Sequence, residues 1–194
     1  MAAVQGPARD NRRPMHSSSR AGSVALLLAA ATVLAACSLT FNWREVPVGD
    51  AGLVALLPCK PDRGSRALPL GDQSVHVDIV GCEAGGATFA VAHARASDVA
   101  QAAAWLDAWQ AATRTQLAGS TITAATASLP RAALTPAAVR LDARRADQAG
   151  GAAVQVLWFA QWRAGGVSVY QATVLGVPDR AEAAGVFFDG LRLP

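Results

Sequence analysis

Charge is scarce in this chain. Asp, Glu, Lys and Arg supply 16% of 194 residues, hydrophobic residues supply 52%, and the mean hydropathy is +0.26. That balance excludes a disordered chain, which needs low hydrophobicity and high charge. Catalytic signatures are missing as well. There is no Gly-x-Ser-x-Gly elbow, no Gly-rich phosphate loop ending in Lys-Ser/Thr and no paired-His metal motif. A nucleic-acid partner is not expected either, although the formal charge is +3 and the pI about 9.1. Residues 37–194 hold 13 Lys/Arg and 13 Asp/Glu, so the basicity belongs to the N-terminal segment. The length suits one domain and is short for two.

The apolar run AGSVALLLAAATVLAA at 21–36 is uncharged and follows Arg20. It falls short of the roughly 20 residues that span a bilayer as a helix. A basic flank, a short apolar stretch and small residues at its end describe a secretory signal peptide, here residues 1–36. Translation from Met15 would give a leader of ordinary length. The run closes with Leu34-Ala35-Ala36-Cys37, which resembles the lipobox of bacterial lipoproteins. That resemblance implies diacylglyceryl transfer to the Cys37 thiol, cleavage before Cys37 and acylation of the new amino group. The membrane is then the first expected partner, through acylated Cys37. More than one chain gives firm anchoring, since each buried CH₂ adds about 0.8 kcal/mol. A non-lipidated signal peptide and an uncleaved anchor helix are the alternatives. Ser38 follows the Cys, where Asp would favour inner-membrane retention in lipoproteins, so the outer membrane is the expected destination.

Setting Cys37 aside leaves Cys59 and Cys82, an even remainder in a compartment that permits disulfides. A bond between them would close one modest loop. Free thiols and a metal site are the alternatives, and the close Cys/His pairs of metal sites are absent. His76 and His93 stand alone.

After the lipobox, residues 37–50 read as tether and first strand, with Phe41, Trp43 and Glu45 alternating against Asn42 and Arg44. Residues 51–194 read as one α+β domain. Ala51–Leu57 is an apolar run that Pro58 and Pro61 stop. Ser65–Leu70, Ser74–Val80 and Ala87–Ala94 form an antiparallel meander, turned at Gly71-Asp72 and Gly85-Gly86. Ser97 is the expected N-cap of a helix whose inner face is Val99, Ala102, Leu106, Trp109, Thr113 and Leu117, widened by Trp105. Residues 120–150 give a weak signal, with one short strand at Val139–Asp142 and a basic cluster of Arg140, Arg144 and Arg145. Ala153–Arg163 is apolar on both faces, which marks a strand covered on both sides. Gly166–Val177 is its hairpin partner. Asp179 with Glu182 suggests a capping box for a C-terminal helix with Ala184, Phe187, Phe188 and Leu191 inward.

The expected fold is therefore α+β, an antiparallel sheet of about six strands with two packed helices. It resembles the Mog1/PsbP-like proteins through Leu56-Leu57-Pro58-Cys59-Lys60-Pro61, Gly85-Gly86-Ala87-Thr88-Phe89 and the ending Phe187-Phe188-Asp189-Gly190-Leu191-Arg192-Leu193. More narrowly it resembles a set of Gram-negative lipoproteins, through Asn42-Trp43-Arg44-Glu45, Leu57-Pro58-Cys59-Lys60-Pro61 and Gly81-Cys82-Glu83. The resemblance implies a fold and a cell-envelope location, and it transfers no catalytic residues or cofactor. Ser74, His76 and Asp78 share a strand face, but side chains along one strand point in parallel and do not converge as a triad must. The expected role is non-catalytic binding of another envelope protein, with Trp43, Arg44 and Glu45 as the interaction surface. The alternative is a small-ligand binder or enzyme with a pocket between sheet and helices, near Trp105, Trp109 or Trp158.

Overall fold

The computed structural model describes residues 40–145 and 153–194. Two strands, β1 (Arg44–Val48) and β2 (Leu53–Leu57), pair antiparallel as a small sheet of their own. Then come β3 (Asp62–Leu70), β4 (Gln73–Ala84), β5 (Ala87–Ala96), α1 (Val99–Gln116), β6 (Thr121–Thr126), β7 (Val139–Arg144), β8 (Ala153–Arg163), β9 (Gly166–Gly176) and α2 (Ala183–Asp189). The large sheet has seven strands in the order β3-β4-β5-β9-β8-β7-β6. Every neighbouring pair in it is antiparallel.

The fold is α+β with two helices, as expected, and among the described residues its strands form a sheet of seven and a separate pair where one sheet of about six was expected. β6 is the strand that sequence pattern does not announce. It is a short edge strand, exposed at every position except the half-buried Ile122, so no alternation marks it. β3 begins at Asp62, earlier than Ser65, for a similar reason: its first six residues are all exposed, and pairing with β4 holds them.

Both faces of the large sheet are covered. On one, Phe89, Phe159, Tyr170, Ala172 and Val174 pack under the β1–β2 hairpin and α2. On the other, Ala94, Ala96, Trp158, Ala160, Val167 and Val169 pack under α1. Central strands therefore carry apolar residues at both parities, which explains the double-faced pattern of β8. β4 shows the two layers within one strand. Val75 and Val77 belong to the α1 layer, whereas Val80 and Cys82 belong to the hairpin layer.

Turn chemistry sets the register of the first meander. Gly85 (φ +56°) and Gly86 (φ +76°) make the two-residue β4–β5 turn, where both central residues need positive φ. A side chain at Gly85 would also run into the Phe41 ring. α1 starts one residue later than the sequence suggests. Its N-cap is Asp98, whose carboxylate accepts the Gln101 N–H at 2.8 Å, while the Ser97 hydroxyl donates to Asp98 at 2.9 Å. Those bonds hold the Asp98 pKa below its ordinary value, the Gln101 bond foremost. Of the expected inner face of α1, Ala102, Trp105, Leu106, Trp109 and Thr113 are buried, while Val99 and the C-cap Leu117 are half-buried against the same core. α2 has no capping box. Its N-cap is Glu182 without a side-chain bond, and the Asp179 N–H donates instead to the Gly85 carbonyl at 2.8 Å.

Candidate functional site

Cys37 lies outside the described residues. Cys59 and Cys82 are joined by a disulfide with Cα atoms 5.9 Å apart. It ties the connector after β2 to β4, and so the small sheet to the large one.

Trp43, Arg44 and Glu45 each make contacts within the domain. Trp43 is half-buried, stacked on Phe41 at 5.9 Å and edge-on to Phe89 at 6.3 Å. The Arg44 Nε donates to the Asn42 carbonyl at 3.3 Å, and Glu45 forms an ion pair with Arg192 near the C-terminus. Ser74, His76 and Asp78 lie exposed along β4. His76 Nε2 stands 3.5 Å from Asp78 Oδ1, with both side chains largely in solvent.

Sequence pattern gave no warning of a buried polar group at His93. It continues the inward row Ala87, Phe89, Val91 and is only 3% exposed. Its Nε2 is 3.3 Å from the Ser168 hydroxyl, and its ring stacks on Tyr170 at 4.9 Å. Tyr170 stacks in turn on Phe159 at 4.9 Å. The backbone at Gly49 closes over the imidazole so tightly that a Cβ there would clash with Nδ1. Neither His93 Nδ1 nor the Tyr170 hydroxyl has a hydrogen-bond partner. Burial pushes the His93 pKa below 6.5, partly opposed by Asp50 and Asp78, with Arg95 adding to the depression. Burial also pushes the Tyr170 pKa up. The folded imidazole therefore takes up a proton less readily than the unfolded one. Stability is fully present above pH 6.5 and falls as pH drops through the folded pKa. Denaturant midpoints between pH 7.5 and pH 5 are expected to show this fall, and His93→Gln to flatten it. An unchanged slope in His93→Gln rejects the assignment.

Two of the concave regions lie on opposite sides of the large sheet. The first is a groove of about 550 Å³ between α1 and the sheet. Trp109, Leu68, Ile79, Val154 and Leu175 give it an apolar lining, Gln171 and several Thr interrupt it, and Arg66 supplies a cation. Leu175 is 50% exposed there. The second is a basin of about 600 Å³ on the α2 side. Arg131, Arg140 and Arg192 line it above Leu157, Phe188 and Leu193. The structure thus breaks up the basic cluster seen in sequence. Arg140 belongs to the basin, Arg144 is exposed at the end of β7, and Arg145 reaches the Ala118 carbonyl at 3.3 Å.

No known family model matches this chain, and no curated protein matches it. Among the described residues, no helix is long and apolar enough to cross a membrane, and no cluster of three His, Cys, Asp or Glu could hold a metal ion.

Proposed function

We propose that this chain is a lipid-anchored cell-envelope protein with a Mog1/PsbP-like domain, acting by binding and not by chemistry. The run at 21–36 and Leu34-Ala35-Ala36-Cys37 support acylation at Cys37, which would tether the domain on the periplasmic side. Ser38 favours sorting to the outer membrane. The observation that carries the binding role is the groove beside α1. Sheet residues Ile79, Val154 and Leu175 and helix residue Trp109 offer one apolar surface that the fold leaves uncovered. Its occupant is an apolar segment of another envelope protein, with an acidic end that complements Arg66. This moves the contact surface away from Trp43, Arg44 and Glu45, whose side chains are already engaged within the domain.

Two readouts test it. Radiolabelled fatty acid is expected to enter the wild-type protein in its host, and Cys37→Ser to abolish labelling and leave unprocessed precursor. Absence of label in the wild type ends the anchoring reading. For the groove, a photo-crosslinking residue at position 175 is expected to give one protein adduct of discrete mass in intact envelopes. Ala112→Glu, which places an acid on the helix wall of the groove, is expected to remove it. An adduct that persists in Ala112→Glu, or a ladder of unrelated adducts, overturns the binding reading.

A further inference from the structure

The basin on the α2 side faces away from the groove, and nothing in the binding role requires it. Its walls are built from three separate segments: the loop after β6, strand β7 and the tail after α2. Each brings one arginine. Arg131 sits at φ +67°, a left-handed conformation that non-glycine residues seldom adopt. Such backbone persists only where its surroundings enforce it, and it clusters at ligand sites. The Arg131 Nη1 donates to the Leu193 carbonyl at 3.3 Å, and among the described residues no carboxylate pairs with it.

Arg140 is fixed more firmly. Its Nε and Nη2 reach Asp142 Oδ1 at 3.4 and 3.2 Å, and Nη2 also reaches Gln155 Oε1 at 3.1 Å. Its guanidinium lies 3.8 Å from the centre of the Phe188 ring. Among the described residues, these contacts leave its Nη1 without a hydrogen-bond partner. Arg192 is held by Glu45, and an arginine has five N–H donors, so one carboxylate does not exhaust it. Asp189 is the acid in the lining, and Asp142 and Glu45 offset Arg140 and Arg192 from beside it, so Arg131 is the guanidinium left without an acidic partner among the described residues. Beneath them Leu157, Phe188 and Leu193 form an apolar floor. The volume is that of a small-molecule site.

We propose that this basin binds a small organic oxyanion, a phosphate or carboxylate group carrying a short apolar body. The planar fork of an arginine matches two oxygens of either group at once. Arg131 supplies the unpaired charge, Arg140 a preorganised donor, and the floor takes the apolar body. A bare anion would gain only from the cations, so the apolar body is part of the recognition. The group could come from a soluble metabolite or from a phospholipid headgroup, and the chemistry at the arginines is the same.

The test uses the full chain in a non-ionic detergent and calorimetric titration at low salt. The probes are inorganic phosphate, butyl phosphate, butanoate and dihexanoyl phosphatidylglycerol. At least one organic probe is expected to bind saturably at a single site, about tenfold or more tighter than inorganic phosphate. Added salt is expected to weaken it. Arg131→Gln should weaken binding about tenfold or more, and Arg131→Lys less, because it keeps the charge and loses the fork. Arg192→Gln is read alongside, so that a folding defect in one variant does not hide the answer. Preference for butyl phosphate or butanoate identifies a soluble ligand, and preference for the phosphatidylglycerol identifies a lipid headgroup. If no probe binds saturably, or if binding survives both glutamine variants unchanged, the basin is not an oxyanion site.

Discussion

Replacing Phe89 with alanine is expected to destabilise the domain by about 3–5 kcal/mol. Phe89 is fully buried on β5. Its ring meets Phe187 at 5.6 Å, Trp43 at 6.3 Å and Phe41 at 6.4 Å, each nearly edge-on. It therefore joins α2 and the segment before β1 to the large sheet in one contact set. Its neighbours across the sheet are Cys82 on β4 and Val174 on β9. Both sit in strands paired on each side, so the cavity left by alanine has little freedom to collapse. Denaturant titration with linear extrapolation measures the loss, and Phe89→Leu should lose less. A loss below about 1 kcal/mol, the ordinary cost of an unremarkable substitution, refutes this account of the core.

Loss of the Cys59–Cys82 bond is expected to cost about 2–4 kcal/mol. The bond links residues 23 apart in sequence, and breaking it restores the freedom of that loop in the unfolded chain. Cys59→Ser is the cleaner variant, because Cys82 is buried and Cys82→Ser would also place a hydroxyl in the core. Reductant should lower the denaturant midpoint of the wild type and leave that of Cys59→Ser unmoved. Equal midpoints for reduced and oxidised wild type contradict the prediction. Since Cys82 stands directly across from Phe89, combining Cys82→Ser with Phe89→Ala should not give additive losses.

What the sequence made legible was what burial writes into it. The helical face through Trp105 and Trp109, the glycine turn at 85–86 and the doubled apolar pattern of β8 each leave a periodic trace, because each buries a regular set of positions. β6 and the start of β3 bury almost nothing, and their pairing is carried by backbone groups that look alike for any residue. The charged residues misled for a different reason. Glu45 read as a surface residue beside Trp43, and its partner is Arg192, far off in the chain. His93 read as a lone histidine, and Ser168 and Tyr170 reach it only because β9 lies beside β5. The Arg131 basin is assembled from three distant segments, and no local window of sequence contains it.

The position of β9 governs the order in which this molecule can be made. β9 is the last strand among the described residues, yet it lies between β5 and β8. Within the large sheet, the halves β3-β4-β5 and β8-β7-β6 are hydrogen-bonded to one another only through it. A chain that emerges N-terminus first must hold β5 with one edge unpaired while residues 97–165 follow. That edge belongs to a strand apolar on both faces, a template for unwanted pairing. Cys59 and Cys82 both precede β5, so their crosslink lies wholly within the early half. The nascent protein is thus exposed to misassembly until β9 appears.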